Sequence, residues 1–254
     1  MLRETHSVLM RGVRGQNKTP GEFRTQQNWI GGTTPSNAVF VPPSVIYMSD
    51  LLSDFEKFIH NDEHHVPHLI KAAIVHYQFE TIHPFQDGNG RIGRLIIPLY
   101  LLNKKCLDKP CFYISDFFEK NRTTYYDALQ NVRIKNDLLN WIKFFLKAVI
   151  YTAKSGKQKF MSVVSLVDNY EERILSFTGR HDNNRKVLKA FFNDPILTSK
   201  QLQERTLLSQ ATADKAIQNM LNANMLVELT GYGRNRIFAL AHYLNIFSQE
   251  QEEN

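Results

Sequence analysis

The stretch His83-Pro84-Phe85-Gln86-Asp87-Gly88-Asn89-Gly90-Arg91-Ile92-Gly93-Arg94 separates two apolar segments of helical period. Upstream, Leu69, Ile70, Ala73, Ile74 and Tyr77 repeat helically across His68–Thr81, and downstream Ile92–Leu102 reads as a second helix. The quoted residues are therefore a turn that joins two helices. Gly88 and Gly90 let the turn tighten and let backbone approach a ligand with no side chain in the way. A helix opens directly after them. Its first N–H groups are unpaired and sit at the positive end of the helix dipole. Together these features make an anion cradle suited to phosphate.

The side chains of the turn add chemistry to the cradle. Arg91 and Arg94, three apart, share one helical face and can grip phosphate oxygens bidentately. Asp87 supplies the hard oxygen ligand that Mg²⁺ takes beside a nucleotide. Asn89 can donate an amide N–H to a phosphate oxygen. His83 titrates near neutral pH and can accept a proton from an incoming hydroxyl. The set fits transfer of a phosphorus-centred group to a hydroxyl. A turn that merely holds a structural anion has no use for the histidine or the aspartate.

His83, Phe85, Asp87, Gly88, Asn89, Gly90, Arg91 and Arg94 resemble the motif of the Fic family, His-x-Phe-x-Asp/Glu-Gly-Asn-Gly-Arg-x-x-Arg, at every defined position. The resemblance implies a mostly α fold, a Fic-type helical core with a small β-hairpin flap. It also implies an adenylyltransferase that moves AMP from Mg-ATP to a Tyr, Thr or Ser hydroxyl of a protein, itself included, and releases pyrophosphate. In that scheme His83 is the general base and Asp87 holds Mg²⁺ against the α- and β-phosphates. Gly88, Asn89 and Gly90 form the anion hole, Arg91 and Arg94 contact the outer phosphates, and Phe85 anchors the loop. Relatives that act as kinases carry a Lys near Gly90, and this chain does not. Transfer of UMP, GMP or phosphocholine remains open, because the motif reads phosphates and not the base.

The same resemblance extends to softer signals. Pro20–Arg24 and Gln27–Gly32 look like the approach to the family's flap, which places a target-binding hairpin at Pro35, Ser36, Asn37, Ala38, Val39, Phe40 and Val41. Tyr125 and Tyr126 resemble an aromatic pair that borders the adenine, with core packing the alternative. His64, His65, His68 and His76 show no clear ligand partners, and Pro67 interrupts the 64–68 pair. The family's inhibitory pattern, Ser/Thr-x-x-x-Glu-Gly/Asn, is absent. Ser248 and Glu252 approach it, but Glu253 follows. The expectation is a truncated chain without its brake, active as a transferase and poor at removing AMP.

The chain has 254 residues, a net charge of +6 and an ordinary apolar fraction, enough for two domains with real cores. Its positive charge suits an acidic partner such as nucleotide phosphates. Cys106 and Cys111 form no framework pattern, the N-terminus lacks an apolar signal core, and Leu95–Leu102 is far short of a membrane span. A cytoplasmic protein with no membrane partner is expected; a homodimer is left open.

Further helices are expected at Leu2–Val13, Asp50–His60, Thr124–Val132 and Leu138–Tyr151, with loop from Arg14 to Pro43. The Lys-rich, Gly156-containing stretch Lys154–Lys159 reads as the end of a catalytic domain at 1–153. A connecting segment at 154–182 follows, with a helix over Phe160–Phe177. Helices Arg185–Phe192, Ser199–Thr206 and Gln210–Asn222, then Met225–Leu229, a Gly231-Tyr232-Gly233 turn and Arg236–Leu240, give the order of a winged helix-turn-helix domain at 183–247. An acidic tail occupies 248–254. Gln210–Asn222 offers Lys215 and Asp214 but no basic stripe, while the wing holds Tyr232, Arg234 and Arg236. Docking of a protein partner is favoured there over DNA. A nucleotide-sensing DNA-binding regulator is the rival function, and an intact His83 counts against it.

Overall fold

The computed structural model describes residues 1–11, 19–61, 63, 65–177, 181–231 and 235–248. It divides into two compact units, Met1–Lys154 and Ser155–Asn254. Val13, His64, Tyr232, Gly233, Arg234 and the tail from 249, all invoked above, lie outside the described residues.

The first unit contains α1 (Leu2–Leu9), α2 (Met48–His60), α3 (His68–Ile82), α4 (Asn89–Asn103), α5 (Ser115–Lys120), α6 (Arg122–Lys135) and the start of α7 (Leu138–Leu175). Helix α3 buries Ala72, Ala73, Val75, Phe79 and Ile82, which point to more than one side of the helix, so it is covered on two faces. One face packs Val75, Phe79 and Ile82 with Phe55 of α2 and Ile92 and Ile96 of α4. Another face presents Ala72 and Ala73 to Ile97, Phe118, Tyr125, Trp141 and Phe145. The Trp141 indole N–H donates to the Ala73 carbonyl at 2.9 Å, which fixes α7 against α3.

Several elements differ from expectation. Helix α4 begins at Asn89, three residues before the apolar run, because Gly88 at φ 81° turns the chain straight into it. Helix α5 carried too short a pattern to stand out. Helix α7 runs unbroken through Lys154–Lys159, where a break is expected, and takes in most of the helix expected at Phe160–Phe177. Lys, Gln and Ser are tolerable in an exposed helix, and one Gly costs only about 1 kcal/mol. The expected hairpin over Pro35–Val41 reduces to a single bridge, Ile30 to Phe40, beyond a 3-10 turn at Pro35–Asn37. Pro35 has no N–H to give a ladder, and the Asn37 Oδ1 captures the N–H groups of Thr33 and Thr34.

The second unit contains α8 (His181–Asn193), β1 (Ile196–Thr198), α9 (Ser199–Thr206), α10 (Gln210–Asn222), β2 (Val227–Glu228), β3 (Ile237–Ala239) and α11 (Ala241–Ser248). The sheet is antiparallel in the order β1-β3-β2, with Leu197 opposite Phe238 and Val227 opposite Ala239. Its third strand, β1, was not foreseen, since three residues leave no readable alternation. Leu188, Phe191, Leu202, Ile217, Met220 and Phe238 form the core, joined by Tyr170 and Ile174 of α7. The segment expected to be a connector is therefore helical as far as Leu175 and contributes core side chains.

Candidate active site

Helix α3 ends on His83, whose backbone turns left-handed at φ 50° and ψ 58° while its N–H still bonds Phe79 O at 2.9 Å. A non-glycine residue there costs roughly 1–2 kcal/mol, so something must hold it. Arg24 does. Its Nε–H donates to His83 O at 3.0 Å, and its Nη2 donates to Pro43 O at 2.5 Å and Ile82 O at 3.4 Å. Its backbone N–H donates to Pro84 O at 2.8 Å. A buried guanidinium thus caps α3 and sets the direction in which His83 leaves it.

The His83 imidazole faces Glu80 with Nδ1, 3.4 Å from the Glu80 carbonyl and 3.9 Å from its carboxylate Oε2. With Nδ1–H donating to that carbonyl, Nε2 keeps its lone pair. Burial, helped by the nearby Arg133 and Arg24, pushes the imidazole down to about 4, so it is neutral at physiological pH. A neutral ring with a free Nε2 can accept a proton.

The loop after His83 is braced from within. Phe85 is fully buried, and Asn89 clamps it: Asn89 Oδ1 accepts from Phe85 N–H at 2.8 Å and Nδ2 donates to Phe85 O at 2.7 Å. Asn28 Nδ2 donates to the same carbonyl at 3.0 Å. Asn89, expected to face phosphate, is buried and bonds to the loop's own backbone. Gly90 also differs from expectation. It is helical, and a Cβ there would lie 3.2 Å from Arg94 Nη1, so its bareness lets the Arg94 guanidinium fold back over the first turn of α4. Gly88 alone needs the positive φ.

Helix α1 braces the loop from outside, which no motif signalled. The His6 ring stacks on Phe85 with centroids 3.9 Å apart and planes 4° from parallel. Its Nδ1 accepts from Gly21 N–H at 2.8 Å, which leaves Nε2–H to donate to Asp87 O at 3.0 Å. Arg91 reaches Met10 Sδ at 3.1 Å with Nη2. Asp87 itself is exposed, and one carboxylate oxygen accepts from Gly88 N–H at 2.6 Å. No cluster of three or more His, Cys, Asp or Glu exists among the described residues. A lone exposed carboxylate beside a helix N-terminus fits Mg²⁺, which takes one or two protein carboxylates and completes its shell with waters and phosphates.

Helix α6 ties the segment 35–41 to α3. The Arg133 guanidinium lies 3.7 Å from the Phe40 ring centroid and its Nη2 donates to Glu80 O at 3.3 Å. Gln130 Nε2 donates to Val39 O at 3.2 Å. Val39 and Val41 are exposed.

Of the two tyrosines expected beside the base, Tyr125 is in the core at 3% exposure and only Tyr126 reaches solvent, at 45%. The Tyr125 hydroxyl donates to His76 Nε2 at 2.9 Å, and His76 Nδ1–H donates to Gly93 O at 2.9 Å. His76 therefore joins α6, α3 and α4 through the core. Burial holds it neutral, down to about 4.

Comparison with known proteins agrees with this geometry. Residues 1–101, all within the first unit, match the model of the Fic/DOC family. The chain is 34% identical over 125 residues to the protein adenylyltransferase Fic of Aedes aegypti, covering 49% of this chain and 22% of that one. The Culex quinquefasciatus protein of the same name matches equally, at 34% over 125 residues. The match spans about a fifth of the length of these curated relatives. A Fic family protein from Desulfovibrio desulfuricans G20 shares the fold at a TM-score of 0.53 and 22% identity, covering 99% of this chain and 69% of that one.

Proposed function

We propose that this chain, whose residues 1–101 match the Fic/DOC family, transfers AMP from Mg-ATP to a Tyr, Thr or Ser hydroxyl of a protein, itself included. The observation that carries the reading is His83: neutral, with Nε2 free, at the mouth of a helix N-terminus with Arg91 and Arg94 on its first turns. The similar Aedes and Culex proteins bear the name adenylyltransferase, which supports the same chemistry here.

In this reading ATP lays its phosphates over the N–H groups of Asn89 and Gly90, at the start of α4 beyond the Gly88 turn, where the helix dipole favours anions. Arg91 and Arg94 orient the outer phosphates, so the α-phosphorus faces His83. The Asp87 carboxylate would hold Mg²⁺, which would supply neutralisation of phosphate charge. Val39 and Val41 offer a target segment exposed apolar side chains on a stretch held in place by Gln130 and Arg133. Nε2 of His83 takes the hydroxyl proton, the oxygen attacks the α-phosphorus, and pyrophosphate departs. Tyr126 is the accessible ring for the base.

The second unit has the element order of a winged helix. Its described charges favour a protein partner over DNA: Arg236 is paired with Glu228, and Asp214 on α10 accepts from Ser199. The exposed free thiols of Cys106 and Cys111 favour a reducing compartment such as the cytoplasm.

The test is ATP labelled on the α-phosphate, incubated with Mg²⁺ and the chain, with and without a cell lysate. Label on protein that disappears with His83→Ala is expected. Label retained from the γ-phosphate instead would make the chain a kinase. No label from any nucleotide, with ATP still bound, would favour a nucleotide sensor.

A further inference from the structure

Glu80 belongs to no motif, yet its side chain is 8% exposed beside the reaction centre. A buried carboxylate is costly unless something uses its charge. Its Oε1 has no hydrogen-bond partner, and its Oε2 lies 3.9 Å from His83 Nδ1. A Cβ on Gly93 would collide with this carboxylate, so α4 leaves room for it. The charged and titratable groups around it are His83 on α3, Arg94 on α4, and Arg133 and Tyr125 on α6. Among the described residues neither arginine makes a hydrogen bond or ion pair with the carboxylate. Arg133 bonds instead to the Glu80 backbone carbonyl.

We propose that Glu80 is the charge partner of His83 in the transfer step, a positioning residue that acts through the imidazole. This rests on the reading of His83 as the general base. As Nε2 gains the hydroxyl proton, the O–H bond breaks and an N–H bond forms. The oxygen bonds to the α-phosphorus, and the bond from that phosphorus to pyrophosphate breaks, its electron pair leaving with pyrophosphate. The ring is now an imidazolium in a place where burial, Arg133 and Arg24 all oppose positive charge. An ionised Glu80 offsets that charge and receives Nδ1–H, which shifts from the backbone carbonyl to Oε2. This is the service an acid residue behind a catalytic histidine performs in hydrolases. Burial pushes the Glu80 carboxyl up to about 7, so it is ionised only on the alkaline side of neutrality.

The test compares the wild type with Glu80→Gln, which keeps size and removes charge. Turnover and KM for ATP are measured by α-label transfer between about pH 6 and 9, with a thermal melt for each protein. Expected is a turnover lower by on the order of 10²-fold at alkaline pH with KM unchanged. In the wild type turnover rises through about 7, and this rise vanishes in Glu80→Gln. A raised KM at unchanged turnover would show that the carboxylate serves Arg94 and would overturn the proposal. So would a wild-type profile flat across neutrality, a result that needs no variant to fold. Full activity of His83→Ala would instead sink the transferase reading.

Discussion

The imidazole of His6 lies flat on the ring of Phe85 and joins two backbone segments, accepting from Gly21 and donating to Asp87. Replacing it by Phe keeps the stack and strips both hydrogen bonds. Each group left unpaired away from water costs roughly 1–3 kcal/mol. His6→Phe should melt several degrees lower and bind Mg-ATP more weakly, because Asp87 is no longer held. His6→Gln, whose amide can both accept and donate, should recover most of each loss. Melting curves with and without Mg-ATP decide it, and a wild-type His6→Phe would remove α1 from the account.

Arg24 caps the helix that presents His83. Lysine has the charge but not the fork, so Arg24→Lys cannot reach His83 O, Ile82 O and Pro43 O together. A loss of about 2 kcal/mol in stability is expected. Turnover should fall more than ATP affinity, since the phosphate cradle begins beyond Gly88. An equal loss in both would mean that Arg24 supports the whole loop.

His76 and His83 are held down to about 4, below their ordinary 6.5. A depressed folded-state value means stability that is present above 6.5 and lost as pH falls toward 4. For the fully buried His76 the loss is on the order of 3 kcal/mol. Glu80, raised from 4.5 to about 7, has the opposite sign: its contribution is present below 4.5 and is lost as pH rises through 7. Urea midpoints at mildly acid and neutral pH should therefore differ, and His76→Gln should shrink the difference. An unchanged difference would place the acid sensitivity elsewhere.

The two tyrosines should separate cleanly. Tyr125→Phe removes the donor to His76, costs about 1 kcal/mol, and leaves KM for ATP alone. Tyr126→Ala should leave the melting point and raise KM. The reverse pattern would put Tyr125, not Tyr126, beside the base.

Arg133 bridges Phe40 and Glu80 O. Arg133→Met keeps much of the stem and loses the charge. It should raise KM for a protein target while ATP affinity stays near wild type. An effect confined to ATP would disconnect Arg133 from the flap.

Much of this architecture was legible in local chemistry. The turn between α3 and α4 was marked by its glycines and flanking apolar periods, and the ranges expected for α9 and α10 are the ones observed. Elements without a local signature escaped: three-residue β1, six-residue α5, and the continuity of α7 across Gly156. Tertiary packing supplies the stability that propensity alone does not.

Spacing along the chain was enough to bring the candidate residues together, because His83 to Arg94 are neighbours in one turn and its helix. What each side chain is free to do was settled by the fold. A polar group's role depends on who uses its hydrogen bonds, and here the users are far away in sequence. His6 is 81 residues from the Asp87 it holds, and Arg24 is 59 from His83. Tyr125 meets its acceptor His76 across 49 residues. Asn89, Tyr125 and Glu80 therefore take duties that no reading of adjacent residues could assign: a clamp, a core bond, and a buried charge behind the base.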